Sequence, residues 1–430
     1  ALAWAVYEPA RARELAELAV TDTGMGNVDS KITKNTRKTF GTLRDLIRAK
    51  TVGIIERDEA RGMVKYAKPV GVVGAVTPST NPAATPVNKA MMAVKGRNAV
   101  IIAASPAGFQ TTQKTVDYMR AQLALIGLPE DLVQMLPPPV NKEMTQALME
   151  HCDLVVVTGS QNNVKRAYSS GTPAIGVGAG NVAVMIAETA SLDEAATKIC
   201  ASKIFDNSTS CSSENSVTIV DAVYDQGIEA LKRAGGYMCN AEERQQVIDT
   251  LWVNGKLNRH VIAKDAAVFA EVAGLPEAAK NAKFFMVEET GVGNDYPLSN
   301  EKLSLVLTVY RAKDFSGAKA RLQELLEFAG MGHSVGIHTN NLDEARELAA
   351  DLNVVRVLVN QAHTFGNGGS FTNGFEFTLS MGCGTWAGNS ISENLNYRHF
   401  INITHLSTEI PEDKPSEESL FGGHWDKSGR

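Results

Sequence analysis

The feature that most constrains the fold of this chain is a repeat of short apolar runs, each followed by a segment of helical pattern. From about Pro69 the runs are GVVGAV (71–76), NAVIIAA (98–104), LVQMLP (132–137) and LVVVTGS (154–160), with helical stretches from about Thr85, through Tyr118 and Leu125, and again before residue 154. A run of four to seven apolar residues has no polar side to turn to water, so it reads as a strand buried on both faces, parallel to its neighbours and joined to them by helices. The pattern predicts a doubly wound α/β domain, whose ligands gather at the carboxyl ends of the strands. TPSTNP (77–82), ASPAG (104–108) and TGS (158–160) all fall on that edge. Turn chemistry alone explains any one of these loops; three on one edge mark a cofactor site.

A second alternating series begins near Ser216 (SVTIV) and continues through LVLTVYRA (305–312), SVGIH (334–338) and VVRVLVN (354–360), again with helical segments between. A chain of 430 residues exceeds the roughly 250 to 300 residues that a single core supports, so two α/β domains are expected. The division reads as 1–205 for the cofactor, 206–390 for catalysis and 391–430 for a return segment. TVGIIERDEARGMVKYAKPVG (51–71) reads as a hairpin and HFINITHL (399–406) as an isolated strand. Neither has an evident partner within the two domains, which predicts a homodimer or higher homo-oligomer joined through these strands. The last 20 or so residues, rich in Glu, Pro, Lys and Ser, read as a solvated tail.

Charge and cysteine usage narrow the class. Charged residues make up 21% with a net charge of −6 and no long basic run, which argues against a nucleic-acid partner. No apolar run approaches the roughly 18 residues of a membrane span. The five cysteines, Cys152, Cys200, Cys211, Cys239 and Cys383, are odd in number and form no CxxC pair, which argues against a disulfide framework and a zinc site and fits the reducing cytoplasm.

One cysteine stands apart. Cys211 lies in FDNSTSCSSENS (205–216), among small hydroxyl residues where a core cysteine would have Leu, Val and Ile. Small neighbours leave room for a substrate, and local backbone N–H groups favour the thiolate, so this is the candidate nucleophile. It also falls where the first domain's pattern gives way to the second, and clefts between domains are common ligand sites.

TPSTNP, AYSSGTPAIGVGAGN (167–181), FDNSTSCSSENS, EKLS (301–304), GMGHSVG (330–336) and MGCGTWAGNSISEN (381–394) together give the chain a resemblance, over nearly its whole length, to the aldehyde dehydrogenase superfamily and to its coenzyme-A-acylating branch. The resemblance implies Cys211 as nucleophile, Asn81 as an oxyanion donor and His333 as a residue near the acyl or coenzyme A site. It implies a nicotinamide cofactor held by Thr77, Pro78, Ser79, Thr80, Ser105, Gly159, Ser160, Gly178 and Glu301, the last against the nicotinamide ribose. EKLS departs from the more usual EKLSP, with Leu305 in place of Pro. Taken alone, Asn81 reads as an Asn that favours the turn before Pro82, and His333 as a satisfied loop histidine.

Hydrolytic relatives activate water with the Glu of an ELGGK motif. The matching stretch here is GVGAG, with Gly176 where that Glu would stand, so the acyl-enzyme is expected to wait for a thiol, coenzyme A. Cofactor choice follows from the turn after the second strand, where AASPAGFQTTQ (103–113) contains no carboxylate to repel a 2′-phosphate; this favours NADP over NAD by a small margin. Ser208, Thr209 and Ser210, with Asn360 and His363 of the tunnel loop NQAHTFGNGGSFTNGF (360–375), are expected to face a polar substrate. Within the branch, these residues most resemble enzymes acting on sulfoacetaldehyde and next those acting on succinate semialdehyde, both small aldehydes with an anionic tail; acetaldehyde enzymes are the further alternative. Two readings from other classes stay open: a catalytically silent assembly subunit, and a reductase of acyl phosphates, against which a complete cysteine motif argues.

Overall fold

The computed structural model describes residues 1–429. Two parallel sheets form its frame. In the first, five strands lie in the order Val133–Met135, Ala99–Ala103, Val72–Val76, Leu154–Val157, Ala174–Gly176. The chain winds outward from Val72–Val76 in one direction and then in the other, so the carboxyl ends of this strand and its two neighbours open onto a crevice. The three loops at residues 77–82, 104–108 and 158–160 meet there.

The second sheet has seven parallel strands in the order Gly236–Met238, Phe284–Glu288, Val306–Ala312, Glu214–Val220, Val182–Ile186, Gly332–His338, Val354–Val359. Its central strands show why apolar runs are continuous here. All five residues of Val182–Ile186 are buried, with Val182, Val184 and Ile186 in one apolar cluster and Ala183 and Met185 in the other, so both faces are covered by helices. This strand pairs with Glu214–Val220 and Gly332–His338, and a boundary at residue 205 therefore cuts through the second sheet. Side-chain pattern cannot separate two consecutive buried strands that belong to different sheets.

The hairpin and the late strand find their partners in the same chain. Gly53–Asp58 pairs with Met63–Pro69, and Met63–Pro69 pairs with Ile401–Ser407, giving a three-stranded antiparallel sheet. The expectation that they lacked a partner is thus corrected; the two segments lie more than 300 residues apart, beyond what local pattern reports. Leu395 and Phe400 pack into the core of the first domain beside Leu2, Val6 and Leu15, so the return segment closes the fold on its own N-terminal helices. The tail is solvated as expected and is helical in part: Glu417–Ser428 is a helix, capped by Ser416 with Glu417 and Glu418 in its first turn, and none of its residues is buried. Among the described residues no helix is long and apolar enough to cross a membrane.

Candidate active site

The amino ends of the second sheet's central strands face the carboxyl edge of the first. Cys211 precedes Glu214–Val220, Gly180 precedes Val182–Ile186, and Glu301 precedes Val306–Ala312, so residues from three loops converge on one cavity of about 710 Å³. Asn81 and all nine residues expected to hold the cofactor line it. A Cβ on Gly180 would lie 2.2 Å from the Cys211 carbonyl oxygen, so only glycine lets the two loops touch.

The loop that delivers Cys211 is strained. Asp206, Asn207 and Ser208 all take left-handed backbone angles, with φ of 50°, 52° and 62°. Each such residue costs about 1–3 kcal/mol unless its surroundings hold it. Here every side chain is tied down. Asp206 accepts from Lys31 and Lys34, and from the Asn27 N–H at 3.0 Å. Asn207 donates to Asp265 Oδ1 at 2.7 Å, and Ser208 donates to the Lys203 carbonyl at 2.6 Å. Asp and Asn are the non-glycine residues that tolerate this conformation best.

This geometry corrects part of the substrate set. Ser208 is buried away from the cavity. Thr209 lines the cavity, yet its hydroxyl donates to Asp206 and accepts from Lys34 Nζ at 2.7 Å, so it is committed to the loop. Ser210 lines the cavity and accepts from the Ser212 N–H at 3.2 Å. Asn360 takes a left-handed φ of 52° and exchanges two hydrogen bonds with the Thr339 backbone, outside the cavity. The 360–375 loop does reach the cavity, through Thr364, Phe365 and Gly368.

His333 and His363 belong to a layer behind the site. His363 Nε2 and His333 Nδ1 each lie 2.8 Å from Ser334 Oγ, and neither ring lines the cavity. Arg356, only 2% exposed, donates to the His333 carbonyl at 3.1 Å, the Gly382 carbonyl at 2.8 Å and Asn394 Oδ1 at 3.0 Å. Burial and then the Arg356 charge pull the His363 pKa down to about 3 and the His333 pKa well below the usual histidine range. Both rings are neutral near pH 7 and offer no cation to an anion.

Electrostatics around the nucleophile also depart from expectation. Burial, followed by the Glu301 carboxylate and then the neighbouring Cys383, pushes the Cys211 thiol up to about 12, so at rest it keeps its proton. Burial raises the Glu301 carboxyl to about 7, against the pull of Lys302 and Lys203. Glu301 is the one carboxylate lining the cavity among the described residues. Gly176 ends its strand outside the lining, where a Cβ would lie 2.5 Å from Val164 Cγ1, so no larger side chain fits there.

Sequence reasoning missed one wall of the site altogether. Lys34, Arg37 and Lys38, on the helix Val28–Arg48, line the cavity on its nucleophile side. Their spacing, i, i+3 and i+4, places them on one helix face, but the same spacing describes any solvated face and carries no mark of a site.

A nicotinamide dinucleotide fits what remains. Gly159 opens onto the cavity with no protein atom within 4 Å of a Cβ built there, and Ser160 caps the helix Gln161–Tyr168 beside it, so a ligand can approach backbone N–H groups closely. A doubly wound cofactor sheet facing a cysteine on a second α/β sheet defines a cysteine-dependent dehydrogenase. The chain belongs to the aldehyde dehydrogenase family, whose model matches residues 3–244. It is 53% identical to the sulfoacetaldehyde dehydrogenase (acylating) of Cupriavidus necator, over 100% of this chain and 87% of that protein. An acetylating aldehyde dehydrogenase from Geobacillus thermoglucosidasius superposes with a TM-score of 0.91 at 37% identity, covering 96% of this chain and 92% of the other. A Rhodopseudomonas palustris propionaldehyde dehydrogenase with bound propionyl-CoA superposes with a TM-score of 0.83 at 25% identity, covering 95% and 87%. The protein is an acylating aldehyde dehydrogenase.

Proposed function

We propose that the enzyme oxidises a small anionic aldehyde, sulfoacetaldehyde before others, and delivers its acyl group to coenzyme A. The observation that carries this is the charge of the cavity lining: five basic side chains, Lys34, Arg37, Lys38, Lys142 and Arg166, stand against a single carboxylate, Glu301, among the described residues, and the first three share the helix that is tied to the Cys211 loop. The likeness to sulfoacetaldehyde dehydrogenase points the same way.

Cys211 Sγ adds to the aldehyde carbon as its thiol proton leaves, with Glu301, the one carboxylate of the cavity lining among the described residues, to receive it. The Asn81 amide and the Cys211 backbone N–H hold the developing oxyanion. Bound at the loops 77–82, 104–106 and 158–160, NAD(P)+ supplies the acceptor for the hydride that leaves this carbon. The thioester left on Cys211 is then attacked by the sulfur of coenzyme A; the bond to Cys211 breaks and the cysteine is regenerated. Gly176 is packed against Val164, and among the described residues the cavity lining offers no second carboxylate to activate water.

Product analysis with and without coenzyme A tests this reading. Acyl-CoA should form at least 100-fold faster than free acid; comparable acid formation without coenzyme A would overturn it. For the cofactor, NADP+ should give kcat/KM at least equal to NAD+, on the strength of the acid-free turn at 103–113. A large preference for NAD+ would reverse that assignment. The exposed three-stranded sheet, with Ile403 and Leu406 outward, supports a homo-oligomer, which light scattering would measure.

A further inference from the structure

Arg37 and Lys38 differ from the other cations of their helix. Lys31 and Lys34, one turn earlier, share the Asp206 carboxylate, and Arg44, two turns later, pairs with Asp45. Among the described residues no carboxylate lies within ion-pair distance of Arg37 or Lys38; their acceptors are neutral. Arg37 Nη2 donates to Ser370 Oγ at 3.2 Å, and Lys38 Nζ donates to the Gly368 carbonyl at 2.7 Å. Arg37 Nε is buried with no hydrogen-bond partner. The rings of Phe365 and Phe371, with centroids 5.8 and 5.2 Å from the guanidinium carbon, keep that group in place.

Two adjacent half-buried cations, with donors to spare, carry a desolvation cost that this chain does not offset with a carboxylate of its own. An anion entering the cavity offsets it. The two groups are placed for such an anion on the acyl side of the site: Lys34, on the same helix face, bonds Thr209, two residues before the nucleophile, and Arg37 and Lys38 line the same cavity as Cys211. Burial, then Arg37 and Lys34, bring the Lys38 pKa down to about 7, which is the response of an ammonium lacking a counter-ion.

We infer that Arg37 and Lys38 bind the anionic end of the aldehyde and set the enzyme's selectivity for it. This rests on the anionic-aldehyde reading above and assigns its recognition to two residues. A forked guanidinium and a point-like ammonium at consecutive positions suit a tetrahedral sulfonate, whose three oxygens can meet donors from separate directions.

The experiment compares Arg37→Met, Lys38→Met and the charge-keeping Lys38→Arg in the full-length enzyme. It measures kcat/KM for sulfoacetaldehyde, succinate semialdehyde and acetaldehyde, together with competitive inhibition by ethanesulfonate, which carries the anion without the aldehyde. Each Met variant should lower the sulfoacetaldehyde-to-acetaldehyde ratio of kcat/KM by about 10- to 100-fold and weaken ethanesulfonate inhibition by a similar factor, while Lys38→Arg keeps most of both. Equal losses for all three aldehydes, or unaltered ethanesulfonate inhibition, would overturn the assignment. A parent enzyme that prefers acetaldehyde would instead overturn the proposed substrate class. A parent preference for succinate semialdehyde that disappears in the Met variants would uphold Arg37 and Lys38 as anion readers and reject the sulfonate.

Discussion

Lys34 holds the loop that carries the nucleophile: its Nζ lies 2.5 Å from Asp206 Oδ2 and 2.7 Å from Thr209 Oγ1. The helix Val28–Arg48 thereby fixes the position of Cys211, more than 170 residues after Lys34, and the left-handed turn at 206–208 persists because this clamp over-determines it. Asp206 serves two ammonium groups at once. Burial works to raise its pKa, but the charges of Lys34 and Lys31 outweigh burial and hold the carboxylate below its usual range. Lys31, sharing that single carboxylate, is drawn down to about 8 by burial and by Lys34.

Replacing Asp206 with Asn should therefore cost about 3–5 kcal/mol of stability, because it leaves two buried cations without a counter-charge. Chemical denaturation at pH 7 measures this, and a loss under 1 kcal/mol would show that the clamp is dispensable. The sign of the pH effect follows from the lowered pKa. The stabilising contribution is complete above the ordinary aspartate pKa of roughly 3.9 and is lost as pH falls through the lower folded value. The Asn variant should lack this acid-side loss.

Glu301 raises the Cys211 pKa, so Glu301→Gln should lower it. In the absence of cofactor, the rate of Cys211 alkylation by iodoacetamide at pH 8 should rise several-fold, while cofactor affinity falls if this carboxylate holds the nicotinamide ribose. An alkylation rate that is unchanged or lower would remove Glu301 from the electrostatics of the thiol.

Cys211→Ala should abolish turnover and leave cofactor binding intact, as judged by fluorescence titration, because the cofactor loops belong to the other sheet. In the parent enzyme, iodoacetamide should modify Cys211 before any other cysteine, since Cys152, Cys200, Cys239 and Cys383 are all buried. Peptide mapping after limited alkylation reads the order directly. Substantial activity in the Ala variant would end the cysteine mechanism.

His363→Ala should reduce kcat/KM for sulfoacetaldehyde and acetaldehyde by the same factor, with a lower Tm, because the ring bonds Ser334 behind the site and lies outside the cavity. A selective loss for sulfoacetaldehyde would return His363 to the substrate wall.

Much of the frame was legible in local pattern. Buried parallel strands need continuous apolar runs, and the loops at their carboxyl ends need small and turn-forming residues, so four of the first sheet's five strands and its three converging loops follow from residues 71–160 directly, while the short edge strand Ala174–Gly176 does not. Cys211 and Asn81 were legible as well, one through its unusual neighbours and the other through the family motif, and the fold brings both to one cavity. Which sheet Val182–Ile186 joins, and that Ile401–Ser407 pairs with Met63–Pro69, were decided only by long-range pairing. The same holds for polarity. Ser208, Asn360 and His363 looked like donors for a substrate, but the first two spend their hydrogen bonds within the protein, on a strained turn and a strand end, and His363 lies in a buried layer outside the cavity, its Nε2 against Ser334. Arg37 and Lys38 bear no mark of a site in the sequence, and only folding sets them in the wall of the cavity that holds Cys211. A sequence specifies which groups a chain owns and the period at which they recur; whether a donor is already satisfied, and which surface it meets, depends on partners hundreds of residues away that only the packed structure supplies.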